Sequence, residues 1–300
     1  MSPDGGLPRE DLVGLWALEK HQRLRDYLLE YTKIMKDQPW CRGYEYIDAF
    51  AGTGTARLRD HDVRIDGSPR IALGLPHPFS AYTFIETAPW RTQQLQQLEA
   101  EFPDRNIRIA EGDCNQFLTR EIIPRIHYRS QRRAIAFLDP FSTHVGYDTI
   151  GQIADTGAIE IFLHFPTMGL NRGELHNRIS VDSTGTVGDG MDRIWGNHDW
   201  HDLLYTRQPD LFGGVWEVKK RRTDAEFLSR LFVEKRLRPL FKCVTEPIVI
   251  KNTHGADIYA LIFAGHNETG AKIANDVFRK KIEPVIQMPG PANLSLELTF

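Results

Sequence analysis

The chain has 300 residues, 41% hydrophobic and 26% charged, with a net charge of −3. That balance fits a soluble globular chain, either one large domain or one domain with an insertion, and argues against a protein that simply coats nucleic acid. No run reaches the roughly 18 apolar residues of a membrane span, the opening MSPDGGLPRED reads as no signal peptide, and the three cysteines are scattered without metal spacing, so a cytoplasmic setting with no metal site is expected.

Residues 11–35 are predicted helical, since Leu12, Leu15, Trp16, Leu18, Leu24, Tyr27, Leu28, Tyr31 and Ile34 recur at roughly helical spacing. Residues 44–49 form the first predicted strand. Ser68-Pro69 supplies an N-cap and a first-turn proline for a short helix to residue 75. Apolar strands at 81–86, 107–111, 133–139 and 158–165 then alternate with helical stretches at 90–102, 115–125 and 147–155. This alternation predicts a parallel sheet with helices on both faces, and right-handed crossovers make the carboxyl ends of the strands the ligand edge.

From residue 166 to 242 the rhythm breaks. Residues 180–192, SVDSTGTVGDGMD, are polar and glycine-rich and read as a loop. Trp195, Trp200, Leu203, Leu204, Tyr205, Leu211, Phe212 and Trp216 supply apolar content for a mostly helical insertion, which closes with a helix over 224–237. Strands at 243–250 and 257–263, joined by Asn252-Thr253-His254-Gly255, predict an antiparallel hairpin, and 271–281 a last helix. The expected division is an N-terminal helical segment (1–40), a Rossmann-like cofactor core (41–165), the insertion (166–242), and a hairpin and helix completing the core (243–300). A parallel sheet ending in an antiparallel hairpin suggests the class I methyltransferase architecture within the α/β class.

The run YEYIDAFAGTGTAR carries the sharpest chemical signal. Asp48 interrupts an apolar strand near its end, where a carboxylate is costly unless paired. Phe50 follows, and Gly52 and Gly54 clear side chains from the turn and permit positive φ. An acid before Gly-x-Gly fits S-adenosylmethionine, the acid facing the ammonium end. The nicotinamide fingerprint fails, because its third glycine position is Arg57. Glu86 at the next strand end is placed to accept ribose hydroxyls, and Asp113 with Cys114 to meet the adenine. Asp113 is equally suited to cap the following helix. Asp139, Pro140 and Phe141 end the fourth strand where an acid and an aromatic ring can orient a nucleophile such as a nucleobase amino group. His144 and His164 are candidate bases or substrate contacts, and Asn171 and Arg172 are candidate substrate contacts over the same edge. Basic runs at 125–133, 219–222, 235–238 and 279–281 leave room for a nucleic-acid partner.

Together these stretches resemble the three-Cys-motif partner proteins. The resemblance rests on Glu19-Lys20-His21 with Leu24 and Tyr27, then YIDAFAGTG, GSPRIAL, FIE, FLDPFS, FPTMGLNR and YALIFAGHNETG, in order along nearly the whole chain. It implies a bacterial or phage protein with a methyltransferase-like fold that uses S-adenosylmethionine. It also implies a companion protein, of the radical S-adenosylmethionine type, that carries the three cysteines. Two departures stand out: Gly52-Thr53-Gly54 replaces Gly-Pro-Gly, and Ser142 replaces a glycine. The alternative to an enzyme is a non-catalytic partner that keeps the fold and binds the companion.

Overall fold

The computed structural model describes residues 10–59, 61, 63–140, 142–175, 178–179, 189–209, 216–221, 223–282, 286–287 and 295–296. Its centre is an eight-stranded sheet. In chain order its strands are β1 (Gly43–Asp48), β2 (Ala81–Glu86), β3 (Ile107–Glu111), β4 (Arg132–Leu138), β5 (Ile159–Phe165), β6 (Cys243–Val244), β7 (Ile248–Lys251) and β8 (Asp257–Gly265). The spatial order is β6-β8-β5-β4-β1-β2-β3, with β7 also paired to β8. Strands β1 to β5 are mutually parallel, and β8 runs antiparallel to β5, β6 and β7. The predicted parallel core with an antiparallel hairpin is therefore present. Every residue of β5 is buried, which is why it reads as a nearly unbroken apolar run.

The helices include α1 (Trp16–Met35), α2 (Ser68–Leu73), α3 (Pro89–Leu95), α4 (Cys114–Phe117), α5 (Tyr147–Asp155), α6 (Ala225–Phe232) and α7 (Glu268–Arg279), with further short ones between them. Helices α1, α2 and α7 cover one face over an aromatic layer that includes Tyr27, Tyr46, Phe84, Phe137, Phe162 and Phe263. The other face packs Ile47, Ala136, Ile161 and Ile262 against α5, α6, Trp195 and Trp200. Among the described residues no helix is long and apolar enough to cross a membrane.

Two expectations are corrected and one is extended. The first helix starts at Trp16 rather than residue 11, because Leu12–Val13 pairs in parallel with Thr55–Leu58. The ladder is held by Arg57 N–H donating to Asp11 O and Arg59 N–H to Val13 O, and Gly14 is a poor residue to continue a helix across. The described part of residues 166–242 is mostly helical, as expected, but it also holds a sheet that the sequence reading did not include. Tyr205–Pro209, Trp216–Lys220 and Arg178–Ile179 form an antiparallel sheet beside short helices at Asp189–Trp195 and Trp200–Leu204. The strand at 243–250 is interrupted. Pro247 has no N–H to give a ladder, so β6 and β7 are separate pieces along β8. Of the predicted loop at 180–192, residues 180–188 lie outside the described residues.

Candidate functional site

Strand register aligns the candidate carboxylates. Asp48 sits opposite Phe84 on β2 and Phe137 on β4, and Phe137 opposite Phe162 on β5. Side chains repeat every second residue along a strand. Glu86, Asp139 and His164, each two residues beyond one of those phenylalanines, therefore share the α1-covered face at the carboxyl edge. Aromatic rings floor the row, and polar groups stand at its rim.

Asp48 is fully buried. It accepts from the Tyr46 hydroxyl at 3.1 Å, from Phe50 N–H at 3.3 Å and from the Ser68 hydroxyl. All three partners are neutral. Burial pushes its carboxyl up to about 7, these hydrogen bonds oppose the rise, and the nearby Asp139 charge adds to it. Gly52 and Gly54 follow at φ +63° and +80°, backbone that side chains rarely adopt. Gly52 N–H donates to Glu86 Oε2 at 3.1 Å, and Thr87 and Ala88 N–H donate to Glu86 Oε1 at 2.8 and 2.9 Å. Glu86 thus ties the glycine turn to the end of β2, with Arg91 Nη1 3.6 Å from its Oε2.

The sequence assigns no chemistry to Asp11, yet it lies at this turn. Its Oδ2 is 3.3 Å from where a Cβ on Gly52 would stand, and its Oδ1 accepts from Arg91 Nη2 at 2.6 Å. No local pattern marks it, because its position depends on the distant pairing of Leu12–Val13 with Thr55–Leu58.

Asp113 is the N-cap of α4, accepting from Gln116 N–H at 3.0 Å, and its side chain stays exposed. Cys114 is buried and its thiol is pushed up to about 12, chiefly by burial, so it is not a thiolate. Asn115 ties two loops of the edge together, donating to His144 O at 2.8 Å and accepting from Gly146 N–H at 2.8 Å.

Asp139 stands one residue past β4. Its Oδ2 accepts from Lys20 Nζ and its Oδ1 from His164 Nδ1, each at 2.6 Å. Burial works to raise this carboxyl, but the Lys20 charge and His164 outweigh it and hold it well below the usual carboxylate range. Lys20 is only 6% exposed and reaches the edge from α1. Its neighbour His21 is held neutral, lowered to about 3 by burial first and then by Lys20. A lysine on an N-terminal helix reads as a solvated charge; only the packing of α1 across β4 and β5 brings it here.

The remaining candidates separate. His144 has an exposed side chain and enters the edge through its carbonyl. Asn171 Oδ1 accepts from Thr223 Oγ1 at 3.0 Å and faces Lys220 Nζ at 3.4 Å, which fastens the insertion, while Arg172 is exposed. Pro140 follows Asp139 at the edge, and Phe141 lies outside the described residues. Among the described residues no three His, Cys, Asp or Glu side chains are grouped to hold a metal ion.

No protein-family model matches the chain, and no curated protein matches it. Solved structures resemble it at low identity. A Legionella pneumophila protein, LPL1258, is 11% identical over 82% of this chain and 97% of its own, with a TM-score of 0.41. The N-terminal domain of EvdMO1, solved with SAH and D-fucose, is 10% identical over 82% of this chain and 84% of its own, at 0.39. TYW2 of M. jannaschii, solved with AdoMet, is 10% identical over 79% and 74%, at 0.32. Such scores are too low to carry function, which has to come from the residues themselves.

Proposed function

We propose that the chain is an S-adenosylmethionine-dependent methyltransferase. The observation that carries this reading is Asp48, a fully buried carboxylate with only neutral partners beside a turn cleared by Gly52 and Gly54. A buried carboxylate without a counter-charge fits an incoming cation, and the ammonium of the methionine moiety is one. Glu86 keeps an oxygen toward the turn that can also accept a ribose hydroxyl, while Asp113 and the backbone of Cys114 border the adenine end. S-adenosylmethionine, when bound, supplies an electrophilic methyl group. The protein contributes alignment of an acceptor with that group and exclusion of water. Each oxygen of Asp139 already accepts one hydrogen bond, from Lys20 or from His164, so the carboxylate's first role is to hold that pair.

The test is calorimetric titration with S-adenosylmethionine and S-adenosylhomocysteine. Micromolar binding, roughly −8 kcal/mol, that is lost in Asp48→Ala and Glu86→Ala is the expected result. Absence of heat at millimolar ligand would sink the reading.

A further inference from the structure

The row of side chains ends in a group that cofactor binding does not use. His164 gives its Nδ1 proton to Asp139, and that carboxylate is kept ionised by Lys20 on its other oxygen. An ionised carboxylate only accepts, so Nδ1 carries the proton and Nε2 presents a lone pair. That Nε2 is buried and has no hydrogen-bond partner among the described residues, in a side chain 1% exposed. Two other buried polar atoms of the same cluster, His21 Nδ1 and the Tyr259 hydroxyl, are likewise without a partner there. The imidazole is locked by packing, stacked on Tyr259 at 4.8 Å between centroids and 12° between planes, with Phe137 edge-on at 4.9 Å. Packing alone explains a fixed ring, but it does not explain an oriented ring whose lone pair is left empty.

We propose that His164 Nε2 is the general base of this site, set in its tautomer by the Lys20–Asp139 pair, and that it takes the proton of an acidic hydroxyl, a phenol or enol. This rests on the methyltransferase reading. The acceptor's O–H bond breaks as its oxygen bonds the methyl carbon, the donor's C–S bond breaks with its electron pair left on sulfur, and the proton goes to Nε2. The imidazolium so formed faces Asp139, and its proton returns to solvent as product leaves. Burial lowers His164 below its ordinary range despite Asp139. Such a weak base suits a phenol, near 10, far better than an alcohol, closer to water at about 15.7. Tyr259 and Phe137 pack on the imidazole itself and Trp16 meets Tyr259 edge-on at 5.5 Å, so the base sits among aromatic rings, surroundings that favour a flat aromatic acceptor over a polar one.

The experiment is nitrogen-resolved NMR of the full chain labelled with 15N-histidine, with the His164 signals assigned by their loss in His164→Gln. Expected near neutral pH is the Nδ1–H tautomer. With S-adenosylhomocysteine present, phenol should move the Nε2 signal and toluene should not. The charged or titratable groups facing His164 are Asp139 beyond β4, Lys20 and His21 on α1, and Tyr259 on β8. Removing one positive charge with Lys20→Met should therefore raise the pH at which His164 protonates. His164→Gln should leave S-adenosylhomocysteine affinity unchanged. An Nε2–H tautomer, or an Nε2 signal indifferent to phenol in protein that binds S-adenosylhomocysteine, overturns the base and leaves the methyltransferase reading standing. A phenol response in protein that binds neither S-adenosyl compound overturns that reading instead.

Discussion

At the scale of single residues, Asp48 links stability to ligand binding. Its carboxyl is raised from 3.8 to about 7 in the folded chain, so the folded state holds a proton that the unfolded state has already lost. No penalty exists below pH 3.8. It grows as pH rises and is complete above about 7, where it reaches roughly 4 kcal/mol. Asp48→Asn abolishes this dependence. Between about pH 5 and 8, the stability difference between the variant and the parent should move in the variant's favour by roughly 3 kcal/mol. Urea unfolding of both proteins at the two values measures it, and parallel curves would mean that Asp48 is not protonated in the folded state. The same proton competes with a cation. S-adenosylhomocysteine affinity of the parent should fall toward tenfold per unit as pH drops below about 7. Asp11 offers a second carboxylate at the turn. Asp11→Asn should weaken S-adenosylhomocysteine by roughly tenfold, the scale of one charged hydrogen bond, without lowering the melting temperature appreciably.

At the scale of elements, what could be read from sequence follows from burial. Residues 81–86 and 107–111 were predicted as strands to the residue, and β1, β4 and β5 within one, because strands covered on both faces leave apolar runs that local composition displays. The carboxylates at their ends were legible for the same reason, as interruptions of those runs. The ladder of Leu12–Val13 with Thr55–Leu58 was not, since its two-residue partner lies more than forty positions away and has no period of its own. The sheet in the insertion was hidden because its aromatic residues suit helix and strand alike. Lys20 meets Asp139 only through the docking of α1, so the base assembly could not be read from the line of residues. The glycine turn makes an element-scale prediction. A Cβ on Gly67 would stand 2.9 Å from the Gly54 carbonyl carbon, which is backbone and cannot swing aside. Gly67→Ala should cost about 1–3 kcal/mol and weaken S-adenosylhomocysteine, because Gly54 has to move. Gly151 is the control: inside α5 nothing lies within 4 Å of its added Cβ, and Gly151→Ala should stabilise by about 0.5–1 kcal/mol. Equal effects of the two substitutions in thermal melts would refute the clash.

At the scale of the whole molecule, much of the positive charge is spent on cohesion. Arg125 and Arg132 both pair with the buried Glu45, and Arg133 lies between the rings of Trp40 and Tyr128 at 4.5 and 4.7 Å. The run at 125–133 thus gives three of its arginines to the fold. Arg236, from the run at 235–238, has a corresponding role at the insertion. Its guanidinium lies over Trp195 at 5.0 Å and over Tyr147 of α5 at 5.3 Å, and it donates to Asp199 at 2.9 Å. One side chain therefore joins α5 to the two short helices at Asp189–Trp195 and Trp200–Leu204. Two cation–π contacts of about 0.5–2 kcal/mol each and a charged hydrogen bond of about 1.5–3 kcal/mol are concentrated there. Arg236→Ala should release these helices locally, with amide exchange rising across 189–204 while β1, β4 and β5 keep their protection. S-adenosylhomocysteine binding should persist, since Asp48, Gly52 and Glu86 lie on the far side of the sheet from this contact. Faster exchange throughout the sheet would instead show that the insertion and the core open as one unit, and that Arg236 holds the fold as a whole.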